Sequence, residues 1–196
     1  MEYVTKYKSI YDILFKQRNI LIDTFMVMIS VIFLAVTAQI RIPLWPVPIT
    51  MQTFGVFLIA FFFGSRNGAL SILAYILAGL VGFGVFASQK SGIAAITGPT
   101  GGYILGFIAC VYVVGLMIER GYGRTKKSVF LCMVVGNVII YTFGLIGLRL
   151  YLGNIGLWKI LMAGLIPFLI GDAIKILAAV GLFPYLWKGS EKLVSY

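Results

Sequence analysis

Histidine does not occur in the 196 residues. That single absence removes serine-histidine and cysteine-histidine nucleophile pairs and the commonest metal ligand together. Acid is scarce too, with 6 Asp and Glu against 16 Lys and Arg. Asp172 is the one carboxylate deep in an apolar run, so no general acid and base pair can be assembled and an enzyme is the least favoured class. Cysteine is limited to Cys110 and Cys132, which fall in separate apolar segments without CxxC or metal-ligand spacing and read as packing residues. No GxxxxGK[ST] phosphate loop occurs; the nearest string, Gly123 to Ser128, has the wrong spacing, so ATP-driven work would require another chain. Ion-coupled transport normally uses several intramembrane carboxylates, and Asp172 already has a lysine beside it.

Apolar sequence, by contrast, runs through the entire chain. Hydrophobic residues make up 61% and charged residues 11%, against about half and about a quarter in a soluble domain. Mean hydropathy is +1.02. These values specify an integral membrane protein of one domain. Apolar segments at 20–40, 49–64, 68–87, 102–118, 129–151 and 157–187 approach the roughly 17 to 25 residues a bilayer core requires, giving an all-α protein with six transmembrane helices. The last segment is long enough that part lies outside the core or bends at Pro167. Residues 1–19 form an N-terminal segment, 20–187 the membrane domain and 188–196 a short tail. The first nineteen residues are too charged for a signal peptide, and Tyr3, Tyr7, Ile10 or Tyr11, and Leu14 recur opposite Lys6 and Lys16 as in an interfacial helix.

Charge sets the expected orientation. Eleven basic residues (Lys6, Lys8, Lys16, Arg18, Arg66, Arg120, Arg124, Lys126, Lys127, Lys188 and Lys192) fall on one side of the six segments, and Arg41, Lys90, Arg149 and Lys159 on the other. Both termini are therefore expected in the cytoplasm. The net charge of +10 reads as topology plus attraction to anionic membrane lipid, with no nucleic-acid role.

Against this background "IPFLIGDAIKILAAVG", residues 166–181, stands out. Each charge near the centre of a membrane helix costs about 3 kcal/mol, so Asp172 and Lys175 must serve either a ligand or a structural ion pair, and the ligand reading is preferred. Three residues separate them by about 60° around a helix, on one face. At 1.5 Å per residue Asp172 lies about 22 Å from Trp187, in the outer half of the membrane. The outer connections are unusual as well. "QIRIPLWPVPITMQT" carries Pro43, Pro46 and Pro48, which forbid a helix and stiffen what reads as a lid or a rigid turn, with Trp45 as a flat apolar surface. "FASQKSGIAAITGPTGGYILGF" has Gly98, Gly101 and Gly102, either a connector or a binding loop offering backbone amides, with Tyr103 directly below. Gln52 and Asn137 are either ligand contacts or interhelical hydrogen-bond formers.

Three stretches, "VPITMQTFGVFLIAFFFGSRNGALSILAYILAGLVGFGVFA", "GPTGGYILGFI" and "GDAIKILAA", together resemble BioY, the biotin-binding S component of energy-coupling factor (ECF) transporters. The resemblance runs from about residue 24 to 187. It implies an S-component-like bundle in a bacterial or archaeal plasma membrane that captures biotin with high affinity. Its implied partners are a transmembrane T component and two ATP-binding A components, with biotin as ligand and no cofactor. It further implies that Asp172 and Lys175 contact biotin, with Trp45, Phe83, Phe86 and Tyr103 as apolar walls and Gln89, beside Ser88 and Lys90, as a polar contact. Helix 1 departs from the family pattern, because "SVIFLAVTAQ" has only Ala35 and Ala38 where a small-xxx-small pair would serve docking on the T component. The competing readings are a self-associating secondary transporter for biotin or a similar small acid, and a scaffolding membrane protein.

Overall fold

The structure, a computed structural model, describes residues 9–17, 19–153 and 155–194. Its helices are α1 (Ile10–Leu14), α2 (Ile20–Gln39), α3 (Gln52–Leu80), α4 (Ile93–Thr97), α5 (Gly101–Glu119), α6 (Lys126–Leu152), α7 (Leu157–Gly164) and α8 (Phe168–Val194). Local chemistry marks several of their ends. Asn19 caps α2 by accepting from the Ile22 amide, and Thr125 and Ser128 form a reciprocal capping box on α6. Between α7 and α8 the chain leaves the helix at Leu165 to Pro167, where the proline has no amide to donate. Hence the long last segment is two helices, a short one and a spanning one.

Among the described residues five helices, α2, α3, α5, α6 and α8, are long and apolar enough to cross a membrane. The expected second and third helices are joined in α3, which is folded back on itself at Gly64. In a straight helix Gln52 and Tyr75 would stand about 34 Å apart, yet the Gln52 amide donates to the Tyr75 hydroxyl at 2.9 Å. The fold point is Gly64, at φ 74° and ψ −161°, a conformation open to glycine but not to residues with a Cβ. Glu119 at the end of α5 secures it, its carboxylate accepting from the Ser65 amide and hydroxyl, both at 2.8 Å. The six apolar segments thus make six passes, α2, the two arms of α3 at 52–63 and 65–80, α5, α6 and α8, with the arms of α3 forming a hairpin.

Helices α3 and α5 are the most buried of the five, while α2 and α8 are the least. Large apolar side chains remain exposed along α2 (Ile20, Phe25, Ile32) and α8 (Ile170, Ile174, Leu177), as suits helices facing hydrocarbon. Glycine allows close approach inside the bundle. A Cβ on Gly106 would crowd Phe143 and Ile140 of α6, and one on Gly68 would crowd Val111 of α5, so these small residues serve the protein's own packing. Cys110 and Cys132 are buried and free.

The two ends of the bundle differ. At one, Gly64 meets Glu119 and Ser9, Arg124 lies over the Trp187 ring at 4.9 Å, and α1 buries Tyr11 against Phe62 and Phe63. The Tyr11 hydroxyl donates to Asp23 at 2.6 Å. Thus α1 lays its apolar face on the bundle; Tyr3, Lys6 and Tyr7 lie outside the described residues. At the other end the proline-rich connection forms a hairpin in which β1 (Arg41–Ile42) pairs antiparallel with β2 (Ile49–Thr50), around a cis Trp45–Pro46 bond. The loop after α3 lies beside it, held by the Gln39 side chain, which donates to the Phe86 carbonyl at 3.0 Å and accepts from the Gln89 amide at 3.1 Å.

Candidate functional site

Beneath this second end lies a pocket enclosed by the hairpin and four helices. The β hairpin contributes Val47, Pro48 and Thr50, the start of α3 Gln52 and Thr53, and the loop after α3 Ala87. Thr100 precedes α5, which adds Tyr103, Ile104 and Phe107. Ile140 and Tyr141 come from α6, and Phe168, Asp172 and Lys175 from α8. The walls are mostly apolar, and the charges in them are Asp172 and Lys175.

Those two residues are 7% and 8% exposed, and each is held by more than the other. Lys175 Nζ lies 3.0 Å from Asp172 Oδ1 and donates to Thr53 Oγ1 at 2.8 Å. The second carboxylate oxygen, Asp172 Oδ2, accepts from the Tyr141 hydroxyl. Thr53, Lys175, Asp172 and Tyr141 therefore form one chain of hydrogen bonds across three helices, in which the charges neutralise each other. A buried pair is tolerable only when its remaining hydrogen-bonding capacity is met, and this one is met by two neutral hydroxyls. One further ligand can still approach, since a carboxylate has about four acceptor sites and an ammonium three donors.

Tyr103 forms a fixed wall. Its hydroxyl donates to the Gly164 carbonyl at 2.7 Å, across the break between α7 and α8. Its ring lies against Gly144 of α6, where a Cβ would collide with it. Phe168 stands edge-on to it at 6.3 Å between ring centroids.

Of the residues singled out from sequence, Asp172, Lys175, Tyr103 and Gln52 line this cavity together, while Trp45, Gln89, Asn137 and Gly101 do not. Trp45 sits at the tip of the hairpin, 85% exposed; its neighbours Val47 and Pro48 face the cavity instead. Gln89 is exposed at φ 55°, its backbone tied to Gln39. Asn137 lies one helical turn, about 6 Å, from Tyr141, which takes the acidic partner. Gly101 packs on the backbone of Ile96 in α4, so its missing side chain permits a close turn, and Thr100 lines the cavity. Phe83 is exposed, and Phe86 is buried against Tyr75, outside the lining. Thr53, Thr100 and Tyr141 are cavity residues that sequence reading passed over. For Tyr141 a signal existed, because it stands four residues after Asn137 and so shares its helix face.

Comparison with known proteins was made with this geometry in view. The BioY family model matches residues 10–192. The chain is 40% identical over 147 residues to the biotin transporter BioY of Thermotoga maritima, covering 74% of this chain and 84% of that one. It is 37% identical over 155 residues to a probable biotin transporter BioY of Pyrococcus horikoshii, covering 79% and 90%. Among solved structures it is similar in fold to the S-component for biotin from an ECF-type ABC transporter, with a TM-score of 0.71 at 24% identity, over 86% of this chain and 92% of that one. With a family match spanning nearly all of the described residues, a bundle of the same fold and the helix 8 aspartate and lysine set in its cavity, the chain belongs to the BioY family.

Proposed function

We propose that this protein is the biotin-binding S component of an ECF importer, a membrane protein that captures the vitamin and is not itself an enzyme. The observation that carries the reading is the paired, nearly buried Asp172 and Lys175 set in an otherwise apolar cavity at one end of the bundle. Biotin has a polar urea ring fused to an apolar thiophane, with an aliphatic tail ending in a carboxylate. Asp172 accepts from a urea N–H, and Lys175 donates to an oxygen acceptor of the ligand. Tyr103, Ile104, Phe107, Ile140 and Phe168 enclose the apolar portion.

The orientation rule for basic residues puts Arg66, Arg120, Arg124, Lys126 and Lys127 in the cytoplasm with both termini, so the cavity opens outside the cell. Release inside then requires energy from partner proteins. A T component in the membrane and two ATP-binding A components supply it in this reading, consistent with a chain that has no phosphate loop of its own.

The test is thermal unfolding of the purified protein in detergent with and without biotin, beside desthiobiotin and riboflavin. Ligand at about a thousandfold over its dissociation constant adds about 4 kcal/mol. A biotin-specific rise in melting temperature is expected. No shift with biotin, or an equal shift with riboflavin, overturns the assignment.

A further inference from the structure

Gln52 is the first residue of α3 and lines the cavity, 5% exposed. Its side-chain nitrogen donates to the Tyr75 hydroxyl at 2.9 Å, and that hydroxyl donates to the Val85 carbonyl, also at 2.9 Å. The order of this relay follows from chemistry. A carbonyl only accepts, so the single hydroxyl hydrogen of Tyr75 is committed to Val85, and the phenol oxygen must accept from Gln52. The side-chain amide of Gln52 is therefore oriented by its partner, although oxygen and nitrogen look alike in shape. Tyr75 is itself fully buried and edge-on to Phe86 at 5.4 Å.

With the nitrogen turned to Tyr75, the Gln52 carbonyl oxygen has no donor among the described residues. Its cavity neighbours differ in this respect. Both Asp172 oxygens, the Lys175 ammonium and the Tyr103 hydroxyl are engaged within the protein. The oxygen is not among the buried polar atoms left without a partner, since Arg124 Nε alone is so placed among the described residues; it is therefore reachable, and the residue that carries it lines the space a ligand would fill.

We infer that the side-chain oxygen of Gln52 accepts an N–H of the ligand's urea ring, and that Tyr75 is the positioning residue that keeps this oxygen turned to the cavity. The inference rests on the biotin reading above and gives that site its polarity. A urea has two N–H donors; Asp172 meets one and Gln52 the other. Neither the sulfur nor the carboxylate of biotin can donate to Gln52, so Gln52 selects the urea end of the molecule. Tyr75 further joins this contact to Val85 and hence to the loop after α3.

Affinities of the wild type, Gln52→Leu and Tyr75→Phe, each in the complete protein, are measured for biotin and for its two derivatives methylated at one urea nitrogen or the other. In the wild type each methylation weakens binding. Gln52→Leu is expected to weaken biotin about tenfold or more, while losing the discrimination against one of the two methyl derivatives and keeping it against the other. Tyr75→Phe, which frees the amide to turn, is expected to reduce the same discrimination in part. Equal loss for all three ligands in Gln52→Leu, or unchanged biotin affinity because water already satisfies the oxygen, overturns the inference. Should Gln52→Leu fail to fold, unchanged discrimination in Tyr75→Phe overturns it instead. Failure of the wild type to bind biotin at all is a separate outcome, which removes the proposed function itself.

Discussion

Replacing Asp172 with asparagine changes almost no volume but removes one charge from a site where both partners are nearly buried. Lys175 is then left with a neutral neighbour. The two oxygens of Asp172 accept from Lys175 and from Tyr141; an asparagine has one oxygen and one NH2, so it keeps accepting from Lys175 only if its NH2 turns to Tyr141, whose hydroxyl must then accept instead of donate. Breaking a buried pair by removing one member costs about 3 to 5 kcal/mol, and Thr53 still bonds Lys175 at 2.8 Å, which puts the expected loss near the lower figure. Binding falls separately, because a hydrogen bond from ligand to carboxylate contributes about 1.5 to 3 kcal/mol, or roughly a ten- to hundredfold rise in Kd. The assay measures ligand-free thermal unfolding and biotin affinity for Asp172→Asn and for the double variant Asp172→Asn with Lys175→Met. In the double variant the unpaired charge is gone, so stability should recover towards wild type while affinity stays low. If Asp172→Asn leaves biotin affinity within twofold of wild type, Asp172 does not contact the ligand. If stability is unchanged as well, the pair has neither a structural nor a binding role.

Two further outcomes follow from the same contacts. Tyr141→Phe keeps the ring and removes only the donor to Asp172 Oδ2, so biotin affinity should fall about tenfold; combined with Asp172→Asn the loss should be less than additive, as a double-mutant cycle by equilibrium binding will show. Glu119→Ala removes the acceptor for two hydrogen bonds at the Gly64 fold, at the opposite end from the cavity. It should lower ligand-free stability by about 2 kcal/mol and leave biotin affinity within a few fold, checked by thermal unfolding beside a binding titration.

Much of the site was visible in local spacing. Asp172 and Lys175 are three residues apart, and a helix places such residues on one face whatever surrounds it, so their pairing needed no tertiary information. Their other partners lie 31 and 122 residues away, at Tyr141 and Thr53. No periodicity links those positions; the packing of α6 and α3 against α8 does. Trp45 shows the converse. A flat aromatic among prolines near the site reads as a ligand surface, yet the hairpin turns Val47 and Pro48 inward and leaves Trp45 outside.

Hydropathy and charge determined that this chain lives in a membrane, where its spans begin and end to within several residues except for the last, whose start lies at Phe168 and not at 157, and which face of α8 carries its charges, because each depends on residues within a turn or a single helix of one another. Tertiary structure alone decided that 52–63 and 65–80 form a hairpin pinned by Glu119, and that the Gln52 side-chain nitrogen donates to Tyr75, which donates in turn to Val85. A buried polar atom takes its direction from whichever partner the fold brings within 3 Å, and that partner's position in the sequence carries no local mark.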